Sequence, residues 1–210
     1  MLPIGFCSIV AGTLSVIEWL RLKQISKDYS KSLSEIVQSV RKCSWKEALQ
    51  ITTKHPHPIL SIWRAAFSLL SEGESDLRDI EETVSIEGAK LIAQLEATLK
   101  TLGALITILP MLGFLGTILG LIASFQNWEQ MGAQVSIGQL AGGIYQAMIT
   151  TAAGLITAIP YYLLYYYFSV RVEKVAIELS KKTTELFRWI KEALLRQTPL
   201  ETESILSPMR

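Results

Sequence analysis

Thr117 and Thr151 are the side chains whose type and setting invite chemistry. Each sits in the middle of a long apolar run, where a hydroxyl can donate and accept a hydrogen bond without carrying charge. Neither can titrate at physiological pH. From Thr101 to Val170 there is no Lys, Arg, His or Asp, and Glu129 is the one Glu. A proton relay through hydrocarbon needs ionisable side chains. This chain alone is therefore a poor proton carrier, and if ions move beside it a partner must supply the titrating group. The hydroxyls also have a plainer use, since threonine in an apolar helix commonly bonds its own backbone carbonyl four residues earlier. Pro110 and Pro160 each release a further carbonyl that such hydroxyls, neighbouring helices or water can satisfy. His55-Pro56-His57-Pro58 offers two imidazoles, but Pro-separated histidines with no cysteine nearby read as a turn and not as a metal site. No nucleophile–base pair, metal cluster or phosphate-binding loop points to an enzyme, and no cofactor is implied.

The elements that carry these hydroxyls follow from composition and charge. Half of the 210 residues are apolar, and the net charge is only +1, with 20 basic and 19 acidic residues, so nothing attracts nucleic acid. The nearly charge-free stretch of 70 residues has room for two helices across a hydrocarbon core of about 30 Å, at roughly 20 residues each. These are expected at 102–125 and 142–168, joined by a polar connection over 126–141 that opens with Gln126-Asn127-Trp128-Glu129-Gln130. A third span is expected over 1–20, where Leu2 to Ile17 is followed by Glu18-Trp19-Leu20-Arg21 as an interfacial anchor. No basic residue precedes Arg21, so this reads as a retained span and not a signal peptide. The fold class is all-α integral membrane, with the bilayer as solvent.

Basic residues orient the spans. Residues 21–100 hold 12 Lys and Arg, the segment from Arg171 holds 8, and the 126–141 connection holds none. Positive segments stay inside, which places the N-terminus in the periplasm and the C-terminus in the cytoplasm. Cys7 and Cys43 then lie at different depths and are not expected to pair. The cytoplasmic region 21–101 reads as helical, with breaks at 55–58 and 71–75. Apolar positions from Ile86 to Leu99 lead without a breaker into Leu102, so the second membrane helix is expected to begin in the cytoplasm. Val172, Val175, Leu179, Leu186 and Ala193 approximate a heptad that prolongs the third helix as a cytoplasmic helix over 169–196. The last segment, 197–210, with Pro199 and Pro208, is expected to be disordered.

Small residues line both inner helices. Gly113, Gly116, Gly120 and Ser124 mark one shallow face, and Gly143, Ala147, Thr151, Gly154 and Ala158 another, where backbones can approach closely. Spacing leaves open whether such faces meet inside one chain or between copies.

The run Pro110-Met111-Leu112-Gly113-Phe114-Leu115-Gly116-Thr117-Ile118-Leu119-Gly120 resembles the PxLGLLGTVxG motif of ExbB and TolQ proteins. Gly142-Gly143-Ile144-Tyr145-Gln146-Ala147-Met148-Ile149-Thr150-Thr151-Ala152-Ala153-Gly154-Leu155, followed by Ala158-Ile159-Pro160, is similar to that family's GIxxALxxTAxGLxxAIP. Ile17-Glu18-Trp19-Leu20 resembles the family's IERL-type ending, so the resemblance covers about 1–25 and 85–180. The resemblance to the MotA/TolQ/ExbB family implies a proton-channel or stator subunit of an ion-driven motor in the bacterial inner membrane. It also implies a pentameric ring around a single-span ExbD, TolR or MotB-like partner whose membrane Asp takes the proton. Thr117 and Thr151 would then face the pore. Gln146 stands where ExbB proteins often carry Glu and is a possible pore-lining position. Gly120→Leu and Gly154→Leu are expected to weaken the ring. The alternative class is a passive membrane scaffold or small transporter subunit, in which the small-residue faces only assemble helices.

Overall fold

A computed structural model of the chain describes residues 2–26, 28–55, 57–74, 76–131 and 137–197. Among these the chain forms six helices: α1 Leu2–Ile25, α2 Ser30–Arg41, α3 Trp45–Lys54, α4 Pro58–Glu72, α5 Leu77–Met131 and α6 Ile137–Gln197. The middle of the expected 126–141 connection, and all of the expected disordered tail beyond Gln197, lie outside the described residues.

Three helices, α1, α5 and α6, are long and apolar enough to cross a membrane. Their apolar windows face outward: 22% of the α1 window and 17% of each of the other two is buried. Phe114, Leu115, Leu119, Leu155, Ile156, Ile159 and Leu163 are all exposed. In water such a surface would collapse or aggregate, and in lipid it is already solvated. At about 1.5 Å per residue, the 55 residues of α5 and 61 of α6 run far beyond a hydrocarbon core of about 30 Å.

The described residues fall into two compact units, one from Met1–Leu20 and Leu95–Arg171, the other from Arg21–Gln94 and Val172–Arg210. In the first, α1 buries the stripe Ile4, Ala11, Ser15 and Glu18, spaced by three, four and seven residues as one helix face requires. Ile4 packs with Leu109 of α5 and Ala158 of α6. Tyr161 ties α6 to α1 by donating to the Ser8 carbonyl at 2.9 Å. Gly12 leaves room for that phenol, because a Cβ there would stand 3.1 Å from its oxygen.

The second unit has an ordinary hydrophobic core. Ile36, Val40, Trp63, Phe67, Ile80, Leu186 and Ile190 meet in one fully buried cluster drawn from α2, α4, α5 and α6. The heptad positions Leu179, Leu186 and Ala193 of α6 are spent on this core, within the chain. Local sequence sets the short helices. Pro58 opens α4 with its fixed φ, and Gly73 closes it at φ 96°, a left-handed conformation that needs no Cβ. Two further breaks, around Asp28 and at Lys42–Ser44, carry neither Gly nor Pro. Cys43 itself takes φ 55°. The Cys43 and Ser44 amides compensate by bonding Val40 and Ser39 carbonyls at 3.0 Å each.

Candidate functional site

The small residues of α5 and α6 face one another inside a single chain. A Cβ on Gly113 would lie 2.9 Å from the Thr150 carbonyl oxygen and 3.1 Å from Thr151 Cα. One on Gly154 would lie 2.8 Å from the Leu109 carbonyl oxygen and 3.1 Å from Gly113 Cα. One on Gly116 would be 2.7 Å from Thr150 Oγ1, and one on Gly120 would be 2.7 Å from Ala147 Cβ. A Cβ on Gly143 would run into Ser124 Oγ. Thus Gly113, Gly116, Gly120, Gly143, Ala147 and Gly154 all lie along one contact, where the two backbones approach more closely than side chains would allow.

This close approach brings hydroxyls of one helix to carbonyls of the other. Thr117 Oγ1 and Thr151 Oγ1 are hydrogen-bonded to each other across the contact. Thr117 Oγ1 also reaches the Ala147 carbonyl at 3.0 Å and its own Gly113 carbonyl at 3.4 Å. Thr151 Oγ1 reaches the Gly113 carbonyl at 3.1 Å. Thr150 joins them, 2.7 Å from the Ala147 carbonyl and 3.1 Å from that of Gly113. Thr117 thus reaches back four residues on its own helix, the plainer use expected of a threonine, and also across to the other helix.

The network holds more contacts than hydrogens. Three hydroxyls own three hydrogens, yet six contacts link them to one another and to two carbonyls. Rotation of a hydroxyl therefore exchanges one partner for another without moving a heavy atom. All three threonines are half-buried. Such a group can present a hydrogen to an ionised carboxylate or a lone pair to a protonated one.

Thr150 was not singled out by sequence, although the geometry that places it is simple. Ala147 lies three residues before Thr150 and four before Thr151, so both hydroxyls flank the same small-residue line. Gln146 does not join the cluster. Five residues before Thr151 is about 140° around a helix, and its side chain is exposed while that of Ala147 is buried.

Comparison with known proteins bears on the same stretch. The MotA/TolQ/ExbB proton channel family model matches residues 54–181. An ExbB homologue of Methanothermobacter thermautotrophicus, a biopolymer transport protein by its name, is 30% identical over 179 residues, covering 83% of this chain and 62% of that protein. The biopolymer transport protein exbB1 of Vibrio cholerae is 29% identical over 163 residues, covering 75% of this chain and 69% of its own. The Tol-Pal system protein TolQ of Pseudomonas aeruginosa is 38% identical over a shorter stretch of 80 residues, 38% of this chain and 34% of its own.

Proposed function

Because the chain belongs to the MotA/TolQ/ExbB proton channel family, we propose that it is the multi-pass subunit of an inner-membrane complex that converts a proton gradient into mechanical work. In this reading α1, α5 and α6 span the bilayer, and α2 to α4 with the adjoining ends of α5 and α6 lie in the cytoplasm. Five copies form a ring around a single-span partner of the ExbD, TolR or MotB type. The partner brings the titrating carboxylate, and this chain brings the Thr117, Thr150 and Thr151 hydroxyls that stabilise it in either charge state.

The hydroxyl network at the α5–α6 contact carries this reading, because it is polar, adaptable and free of charge inside a stretch of 70 residues with one carboxylate. A passive scaffold would need the glycines but not the mismatch between hydrogens and contacts. The test is copurification from membranes in mild detergent. A ring containing a single-span protein with an Asp in its apolar segment is expected, and recovery of the chain only as a monomer would defeat the reading.

Topology can be tested separately. Cys43 is a poor reporter, because its thiol is half-buried and donates to the Ala193 carbonyl at 3.6 Å. Gln50→Cys, at an exposed position of α3, and Glu129→Cys, at an exposed position of α5, are better placed. A membrane-impermeant thiol reagent applied to intact cells is expected to modify Glu129→Cys and spare Gln50→Cys until the cells are opened. The reverse pattern would invert every assignment of side made here.

A further inference from the structure

His57 is one of two histidines in the chain, and it takes no part in the hydroxyl site. Its side chain is buried at the N-cap of α4, with both ring nitrogens engaged. Nε2 lies 3.1 Å from the carbonyl oxygen of Ile25, the last residue of α1. Nδ1 lies 3.3 Å from the backbone nitrogen of Ile59 in the first turn of α4. A carbonyl can only accept and an amide N–H can only donate, so the pair of contacts requires the neutral ring with its hydrogen on Nε2. The imidazole thus joins an orphan carbonyl at the end of one helix to an orphan amide at the start of another.

The surroundings hold the ring in place. Tyr29 packs on it with centroids 4.5 Å apart, and the Tyr29 hydroxyl donates to Glu178 Oε1 of α6 at 3.1 Å. Burial, and then the Glu178 charge, push the Tyr29 hydroxyl far above its ordinary range, so it remains a donor throughout the physiological span. Tyr29 faces the ring from the α1–α2 connection, Glu178 stands one hydrogen bond beyond it on α6, and α1 and α4 meet the two ring nitrogens through backbone groups.

Protonation would put a second N–H on Nδ1, pointing at the Ile59 N–H. Two donors would then oppose each other, and a positive charge would sit at the N-terminal end of α4, where the helix dipole disfavours it. We propose that His57 is a pH-operated latch: as the neutral imidazole it ties the last turn of α1 to the first turn of α4, and on protonation it releases them. The latch holds fully above the ordinary imidazole range, about pH 6.5, and its hold weakens progressively as pH falls below that range. It stands on this geometry independently of the proton-channel reading. With the topology proposed above, it senses the compartment that receives the protons, so that acid accumulating there acts back on the foot of α1.

Amide hydrogen exchange on the full chain in nanodiscs, followed at the first turn of α4 and corrected for intrinsic rates, tests the latch. Between about pH 7.5 and about pH 5.5, protection in the wild-type chain is expected to fall by about tenfold per pH unit once below the imidazole range. His57→Asn keeps an oxygen that can accept from Ile59 N–H and cannot titrate, so its protection should be the same at both ends of the range. His55→Asn should respond as the wild type does. An equal pH response in His57→Asn would overturn the proposal. So would nitrogen NMR of the wild-type chain showing His57 protonated, or carrying its hydrogen on Nδ1, at the upper pH; that reading does not depend on how any variant folds.

Discussion

Thr151→Val is expected to leave the complex assembled and remove most of its proton-dependent work. The substitution keeps the branched shape and deletes the hydroxyl that bonds Thr117 and reaches the Gly113 carbonyl. The loss of stability should be small, because interhelical hydrogen bonds in membranes average about 0.6 kcal/mol and Thr150 still reaches the same carbonyl. The ion step is more sensitive. An ionised carboxylate at membrane depth costs a few kcal/mol or more, while one charge crossing 100 mV gains about 2.3 kcal/mol. A modest change in the contacts of the carboxylate therefore decides whether transfer proceeds. We expect at least about a tenfold fall in proton-driven activity, equivalent to about 1.4 kcal/mol, with Thr151→Ser retaining a measurable part and Thr117→Val falling in the same direction. Complex recovery and activity must be read from the same preparation. Full activity in both valine variants, with the complex intact, would leave these threonines as helix packing alone.

Gly154→Leu and Gly113→Leu should fail earlier, at the level of the single chain. The atoms a Cβ would meet at these two positions are backbone atoms, the Leu109 carbonyl at 2.8 Å for Gly154 and the Thr150 carbonyl at 2.9 Å for Gly113. Backbone cannot rotate aside as a side chain can. Even one added methyl must spread α5 from α6, at a cost of about 1–3 kcal/mol by the usual scale of overpacking, and leucine should exceed this. The same separation would pull Thr117 from Thr151, so ion-path function should vanish with the packing. Folded yield and thermal unfolding in detergent are the measures. Gly142→Ala is the control, since no atom lies within 4 Å of a Cβ there. If Gly154→Ala and Gly113→Ala melted with the wild type, the close approach of the two backbones would be wrong. The expectation that such bulk acts between copies is thus moved inward, to a contact each copy makes alone.

The three membrane helices were legible because lipid imposes a length and a composition that nothing else in the chain shares. The long α5 and α6 were legible for a related reason, as no breaker interrupts the periodicity from Ile86 into Leu102 or from Phe168 into Val172. The turn at 42–44 was not. Lys42-Cys43-Ser44 carries neither Gly nor Pro, and Cys43, packed against the core of this unit, adopts φ 55° without a glycine's freedom. The role of His57 was hidden as well, since a histidine between prolines advertises a turn, while its bond to Ile25 spans 32 residues. Motif spacing found Thr117 and Thr151 but passed over Thr150. Which of two adjacent hydroxyls meets a partner helix depends on where that helix lies, and a sequence does not record it.

The unbroken course of α5 has a consequence for how such a chain can change in length. Leu95, Leu99, Leu102, Ile106 and Leu109 are its buried positions along one flank, and Gly113 continues them to the hydroxyl site. Each residue inserted upstream would turn everything after it by about 100° and advance it by about 1.5 Å. One extra residue between Ile106 and Leu109 would carry the glycines out of line with the buried flank ahead of them. Seven would return the face to within about 20° of its starting phase. Whole heptads are therefore the smallest step that restores the facing of the glycines, and because seven residues also advance the helix by about 10 Å, α6 must lengthen by the same step for Thr117 to meet Thr151.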